Sequence, residues 1–133
     1  MMNFNHIAGG VAFTGIFSSF NNVNIFEEPE YLFCTIFFSM LPDVDHTKSI
    51  IGKVFYPFAR WLDRRHGHRT ITHSLLVLVC LFVVIYSLES FFFNSSVVTQ
   101  ISILAYSSHI IFDMCTKAGV PLFYPFTTVR CVL

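Results

Sequence analysis

Leu75-Leu76-Val77-Leu78-Val79-Cys80-Leu81-Phe82-Val83-Val84-Ile85 decides the fold. Eleven consecutive apolar residues with no charge or helix breaker, continued by Tyr86-Ser87-Leu88, read as a membrane-spanning helix that begins near Thr72 or His73. The composition agrees. Hydrophobic residues make up 54% of the chain and charged residues 12%, about half the charge of an ordinary globular domain, and mean hydropathy is +0.64. A chain of 133 residues has a large surface for its volume. These charges cannot cover it, and one membrane-embedded domain over residues 1–133 is expected.

Working outward, Ile7–Phe26 carries no charge and predicts a first helix over about 5–21, with Gly9, Gly10 and Gly15 allowing close helix approach. A second helix over about 29–41 opens on Pro29 with Glu28 and Glu30 at its positive end. Its uncharged run, Tyr31–Leu41, is short for a full crossing. A fourth helix covers about 97–115, after a turn marked by Glu89 and Asn94-Ser95-Ser96. The expected fold is therefore all-α: a membrane-embedded bundle of about four hydrophobic helices with a cytoplasmic or interfacial loop over 42–72. Within that loop Gly52–Leu62 reads as one amphipathic segment, with Tyr56 and Trp61 at headgroup level and basic residues within reach of lipid phosphates. The tail with Gly119, Pro121 and Pro125 is expected to fold back as an ordered loop.

Several classes are disfavoured. Net charge is zero, so no broad nucleic-acid interface is implied. The four cysteines (Cys34, Cys80, Cys115, Cys131) form no Cys-x-x-Cys pair and suggest no disulfide framework. The N-terminus lacks a basic region and a cleavage site, and is expected to be retained; the C-terminus does not meet a prenylation box.

Four spans place all eight Lys and Arg on one side, with the N-terminus, the 42–72 loop and the tail. The positive-inside rule makes that side the cytoplasm. The same topology gathers the ionisable residues His6, Asp43, Asp45, His46, His68, His73, His109 and Asp113 at one face. His109 and Asp113 are i and i+4 on one helix face, the spacing of two metal ligands or of an intrahelical hydrogen bond. Asp43 and Asp45, in an extended stretch, face one way with His46 beside them; they suit bridging of two cations or a capped turn. His68 and His73 bracket a helix start with Thr72 as N-cap, and read as converging ligands or as interfacial histidines. His66, among Arg64, Arg65 and His68, is left out.

Nitrogen and oxygen donors without thiolates suit a divalent transition metal, zinc favoured over manganese or iron, and eight candidates exceed the needs of one ion. Two or more ions are expected, with a metal-activated water. Arg69, or Arg64 or Arg65, would hold an anionic group such as phosphate; Asp45 or His73 would move protons.

The ordered set Leu41-Pro42-Asp43-Val44-Asp45-His46, Ile51-Gly52, Gly67-His68-Arg69-Thr70-Ile71-Thr72-His73-Ser74, Ser108-His109 with Asp113, Thr116–Leu122 and Tyr124-Pro125-Phe126 resembles the YdjM-type family. These are bacterial inner-membrane proteins described as metal-dependent hydrolases, some as LexA-regulated or LexA-binding. The resemblance runs from His6-Ile7-Ala8-Gly9-Gly10 to Phe126. It implies hydrolase activity at the bacterial inner membrane. The His and Asp pattern is similar to that of zinc-dependent phospholipase C, which implies a phosphoester substrate, lipid or nucleotide-like. Membrane lipid is an expected partner, and a homo-oligomer is compatible with the sequence. The alternative is a non-catalytic, metal-stabilised membrane module that binds a protein or lipid. A metal transporter ranks last, because the candidate ligands lie at helix ends.

Overall fold

The computed structural model describes residues 2–21, 23–93 and 95–133. Among these residues six helices form: α1 (Met2–Asn21), α2 (Pro29–Met40), α3 (Ile50–Val54), α4 (Tyr56–His66), α5 (Leu75–Phe93) and α6 (Val97–Met114). Short 3-10 helices cover Leu41–Asp45 and Ile71–His73. Among the described residues there is no strand, only an isolated antiparallel bridge between Val120 and Cys131. The all-α expectation holds.

α1, α2 and α6 pack against one another, and α5 packs on α6. Glycine sets the closeness at two points. A Cβ on Gly9 would lie 2.0 Å from the Phe112 ring, and one on Gly10 would lie 2.7 Å from Ser39 Cβ. Gly15 meets nothing and is not needed for packing. Polar residues between the helices bond to their own helix backbone: Thr14 to the Gly10 carbonyl, Thr35 to Tyr31, Ser39 to Ile36, Ser108 to Ala105. Self-satisfied hydroxyls suit an apolar surrounding, where water cannot supply the partner.

Among the described residues two helices, α5 and α6, are long and apolar enough to cross a membrane. Glu89 is the one buried residue of α5; Val77, Leu78 and Leu81 pack against the cluster of Tyr106, Ile110 and Val120, and most of its other apolar residues are exposed. α6 is half buried and forms the centre of the bundle. α2, with 12 residues, is about 18 Å long and cannot cross a ~30 Å hydrocarbon core alone.

The 42–72 loop is mostly helical. The amphipathic segment expected over 52–62 is two helices, broken at Phe55. Pro57 is the reason: it lacks an N–H and its ring would clash with the preceding turn, so it starts a new helix instead of continuing α3. Ser49 caps α3 by accepting from the Gly52 N–H at 2.8 Å. Val44, Ile51 and Leu62 form a small buried cluster that fixes α3 and α4 to the Leu41–Asp45 turn.

α5 starts at Leu75, and its first-turn Val77 N–H is received by Ser74, not by Thr72 as expected. Thr72 is drawn away because its hydroxyl donates to Asp45. The tail is ordered, as its turn residues predict. Val120 and Cys131 exchange backbone hydrogen bonds, and the Leu122 carbonyl accepts from the Leu75 N–H at 2.8 Å. The start of α1, the end of α2, the start of α5 and the end of α6 thus meet at one end of the bundle.

Candidate metal centre

At that end the sequence-predicted residues converge. His109 and Asp113, one turn apart on α6, are both fully buried. The His109 ring stacks on His6 from α1, with centroids 3.7 Å apart. His73 comes from the turn before α5, and its Nε2 lies 3.0 Å from Asp113 Oδ2. His109 Nε2 lies 3.6 Å from the same oxygen and 3.7 Å from Asp43 Oδ1. His6 Nε2 lies 3.6 Å from Asp113 Oδ1.

The hydrogen bonds around these groups decide where the ring protons sit. A backbone carbonyl only accepts, so His109 Nδ1, 2.6 Å from the Ser39 oxygen, carries the hydrogen. Thr72 gives its one hydroxyl proton to Asp45 Oδ2 at 2.7 Å. His73 Nδ1, 3.0 Å from the Thr72 oxygen, must therefore be the donor in that contact. In the neutral form both rings then present a bare Nε2 lone pair, and both lone pairs look toward Asp113 Oδ2. None of these three atoms has a hydrogen-bond partner, although all are buried. Burial pushes the His73 imidazole below its ordinary range, and the nearby carboxylates offset this only in part, so a second ring proton does not fill the gap.

Buried groups without partners cost about 1–3 kcal/mol each. Three facing acceptors therefore fit a cation between them. Two donors each about 2.1 Å from one ion stand roughly 3.0–3.4 Å apart; the 3.0 Å and 3.6 Å separations here are close to that. Each imidazole also has a fixed partner on its other nitrogen, the usual support of a metal-binding histidine.

Among the described residues three donor sets place their atoms within 4.8 Å of one another: His73 with His109 and Asp113, His6 with Asp43 and His109, and Asp43 with Asp45 and His68. The third is more open, the His68 side chain being 30% exposed. His68 Nδ1 donates to Asp45 Oδ1 at 2.8 Å. Burial opposes ionisation of Asp45, but the His68 hydrogen bond, the His73 charge and the Thr72 hydroxyl outweigh it and hold the carboxyl below its usual range. For His68 burial lowers the pKa, but the Asp45 hydrogen bond and charge raise it overall.

Asp43 and Asp45 sit on a 3-10 turn, not on the extended stretch the spacing suggested. Their carboxylates stay within 4.8 Å of each other but take different partners: Asp43 faces His109, Asp45 faces His68 and Thr72. His46 belongs to none of the three sets; it caps the turn and stacks on His68 at 4.5 Å. His66, left out of the candidate set, bonds Tyr124 at 2.9 Å and ties α4 to the tail.

Arg69 is buried between the two aspartates. Its backbone N–H donates to Asp45 Oδ2 at 2.9 Å, Nη2 to Asp113 Oδ1 at 2.7 Å and Nη1 to Thr116 at 3.2 Å. It holds a left-handed backbone, φ 58°, which costs a non-glycine residue on the order of 1–3 kcal/mol. That conformation is what lets backbone and side chain each reach a carboxylate. Nη1 and Nη2 each use one of their two N–H groups in these bonds, and Nε has no partner.

Two supports had no signal in the residue pattern. One is the Ser39 carbonyl, and the other is Thr72, read only as a cap. Tyr106 was also missed, although it lies one turn before His109; its hydroxyl donates to the Thr72 carbonyl and fixes that turn.

Comparison with known proteins places the chain. A family model described as YdjM inner membrane protein matches residues 1–133. Inner membrane protein YdjM of Escherichia coli strain K12 is 40% identical over 87 residues, 65% of this chain and 44% of the relative. The protein of the same description from Shigella flexneri matches equally. The uncharacterized protein YvsG of Bacillus subtilis strain 168 is 32% identical over 92 residues, 69% of this chain and 54% of the relative. The chain thus aligns with about half the length of the curated relatives it matches, and no solved structure matches it. Matched along its whole length, the chain belongs to the YdjM family of inner membrane proteins.

Proposed function

We propose that this chain binds a divalent transition metal at one end of its helix bundle and hydrolyses a phosphoester there, in a lipid or nucleotide-like substrate. One observation carries the reading. His73 Nε2, His109 Nε2 and Asp113 Oδ2 face one another, buried and without a hydrogen-bond donor. Two imidazoles with one carboxylate favour zinc, with manganese or iron as the nearest alternatives. Asp43 belongs both to the set with His6 and His109 and to the set with Asp45 and His68, so it is the carboxylate suited to bridge two ions.

When bound, such ions acidify a water and neutralise charge developing on a phosphoryl oxygen. The chain's own groups do the rest. Asp45 orients His68, whose Nε2 is the most accessible base of the set. Arg69 donates to Asp113 Oδ1 and holds the carboxylate in place. Arg69, expected to hold phosphate, is read in this proposal as positioning Asp113. His73, expected as a catalytic residue, is read as a ligand.

Sidedness belongs to the same proposal. Every Lys and Arg lies in the 42–74 segment or after α6, and Glu27, Glu28, Glu30 and Glu89 lie at the other end. This supports a multi-pass protein with the metal end in the cytoplasm.

A second reading rests on one feature: the inner donors are fully buried, as in closed, structural metal sites. In that reading the ion only stabilises a binding module. Metal analysis of the purified full chain, with hydrolysis of a model phosphodiester, separates the two. Catalysis predicts at least one ion per chain, lost in His109→Ala, and hydrolysis lost in His68→Ala with the inner ion retained. Full metal loading with no hydrolysis favours the module; metal retained in both His109→Ala and Asp113→Asn sinks the site.

A further inference from the structure

α4 carries a surface that the metal centre does not use. Its inner side, Ala59 and Leu62, is buried, and Leu62 joins Val44 and Ile51 to hold the helix on the protein. Its outer side combines two chemistries. Phe58 and Trp61 are each about half exposed and stack with ring centroids 6.0 Å apart. Arg60, Arg64 and Arg65 are exposed beside them, and the Arg65 guanidinium lies over the Trp61 ring at 5.8 Å.

At about 100° per residue, Pro57, Arg60, Trp61, Arg64 and Arg65 share one face; Asp63 lies about 160° round from Trp61 and about 60° from Arg60. Those five residues line a shallow concavity of about 490 Å³. Among the described residues no carboxylate pairs with any of the three arginines. The apolar surface continues onto α3, where Ile50 and Val54 are exposed and line a groove of about 250 Å³ against Phe33 and Phe37 of α2.

We infer that this face of α4 is a binding site for anionic phospholipid in the leaflet beside the metal-binding end. Three unpaired guanidiniums supply the charge complement to lipid phosphate, and arginine suits phosphate by geometry as well as charge. The exposed aromatics and α3 aliphatics belong at headgroup and upper-acyl depth, not in water. Because Leu62 and Val44 share one core, a lipid held on α4 steadies the turn that carries Asp43 and Asp45. The proposal does not depend on whether a metal is bound or a phosphoester cleaved.

Trp61 is the single tryptophan of the chain, so its fluorescence reports this surface alone. The full chain is placed in mixed phosphatidylcholine–phosphatidylglycerol bilayers, with bromine on either the zwitterionic or the anionic lipid at equal mole fraction. Quenching is expected to be several-fold stronger with brominated phosphatidylglycerol. Each single change, such as Arg64→Gln, should lower the anionic preference by about fivefold at most, and the triple Arg→Gln variant at 60, 64 and 65 should abolish it. Circular dichroism on each variant confirms folding, which is expected because all three side chains are exposed. Equal quenching by both lipids, absence of quenching, or a preference retained in the folded triple variant would each overturn the inference.

Discussion

Glu89 and Asp113 are buried carboxylates at opposite ends of α6, and their surroundings differ in one respect. Glu89 receives three donors: the Val98 N–H at 2.9 Å, the Thr99 N–H at 2.7 Å and the Thr99 hydroxyl at 2.6 Å. It caps the start of α6 from the preceding helix, and both oxygens are satisfied. Asp113 receives Arg69 on Oδ1, but its Oδ2 meets only the bare nitrogens of His73 and His109. A satisfied buried acid is a structural part. A buried acid facing other acceptors is incomplete until something positive sits between them. Burial alone does not separate the two; the list of donors does.

The largest test of that contrast is Asp113→Asn. The amide keeps the shape and adds the missing donor, which can point at either imidazole lone pair. The variant is expected to fold as well as the parent and to lose metal affinity by more than about 100-fold, beyond the loss typical of an outer-shell change. Unchanged metal content, measured on purified protein, would make Asp113 a structural acid like Glu89. Next in size is Thr72→Val. It keeps the volume but removes the hydroxyl that ties Asp45 to His73. A fall of about 10–100-fold in affinity by chelator competition is expected, with no change if the His73 tautomer is set elsewhere.

Much of this was readable from residue order, because it is local. The i, i+4 spacing of His109 and Asp113 needed only helix periodicity, and the gathering of ionisable groups at one end needed only a helix count. Other parts depended on backbone geometry that residue types do not encode. An extended chain would put Asp43 and Asp45 on one face; the 3-10 turn keeps their carboxylates within 4.8 Å of each other but gives each its own partners. Thr72 looked like a cap because Thr is a preferred N-cap residue ahead of an apolar run; the nearby carboxylate recruits it instead. The Ser39 carbonyl that fixes His109 is a main-chain atom, which no residue pattern marks. Pro57 did carry a signal for splitting the amphipathic segment, outweighed in the reading by the continuity of aromatic and basic residues around it.

The smallest expected effect is on the other side of the comparison. Glu89→Ala removes the acceptor for three donors at the start of α6 without touching any residue of the metal end. Loss of such a cap costs about 1–2 kcal/mol, so the melting temperature of the full chain should fall modestly while metal content and Trp61 fluorescence stay unchanged. The opposite outcome is informative. If Glu89→Ala also releases metal, α6 transmits disorder along its length, and the ligand pair His109 and Asp113 depends on the whole helix being held at both ends. Retention of metal with a lowered melting temperature would show that the Ser39, Thr72 and Arg69 contacts suffice to hold the site, and that the two carboxylates at either end of α6 do separate jobs.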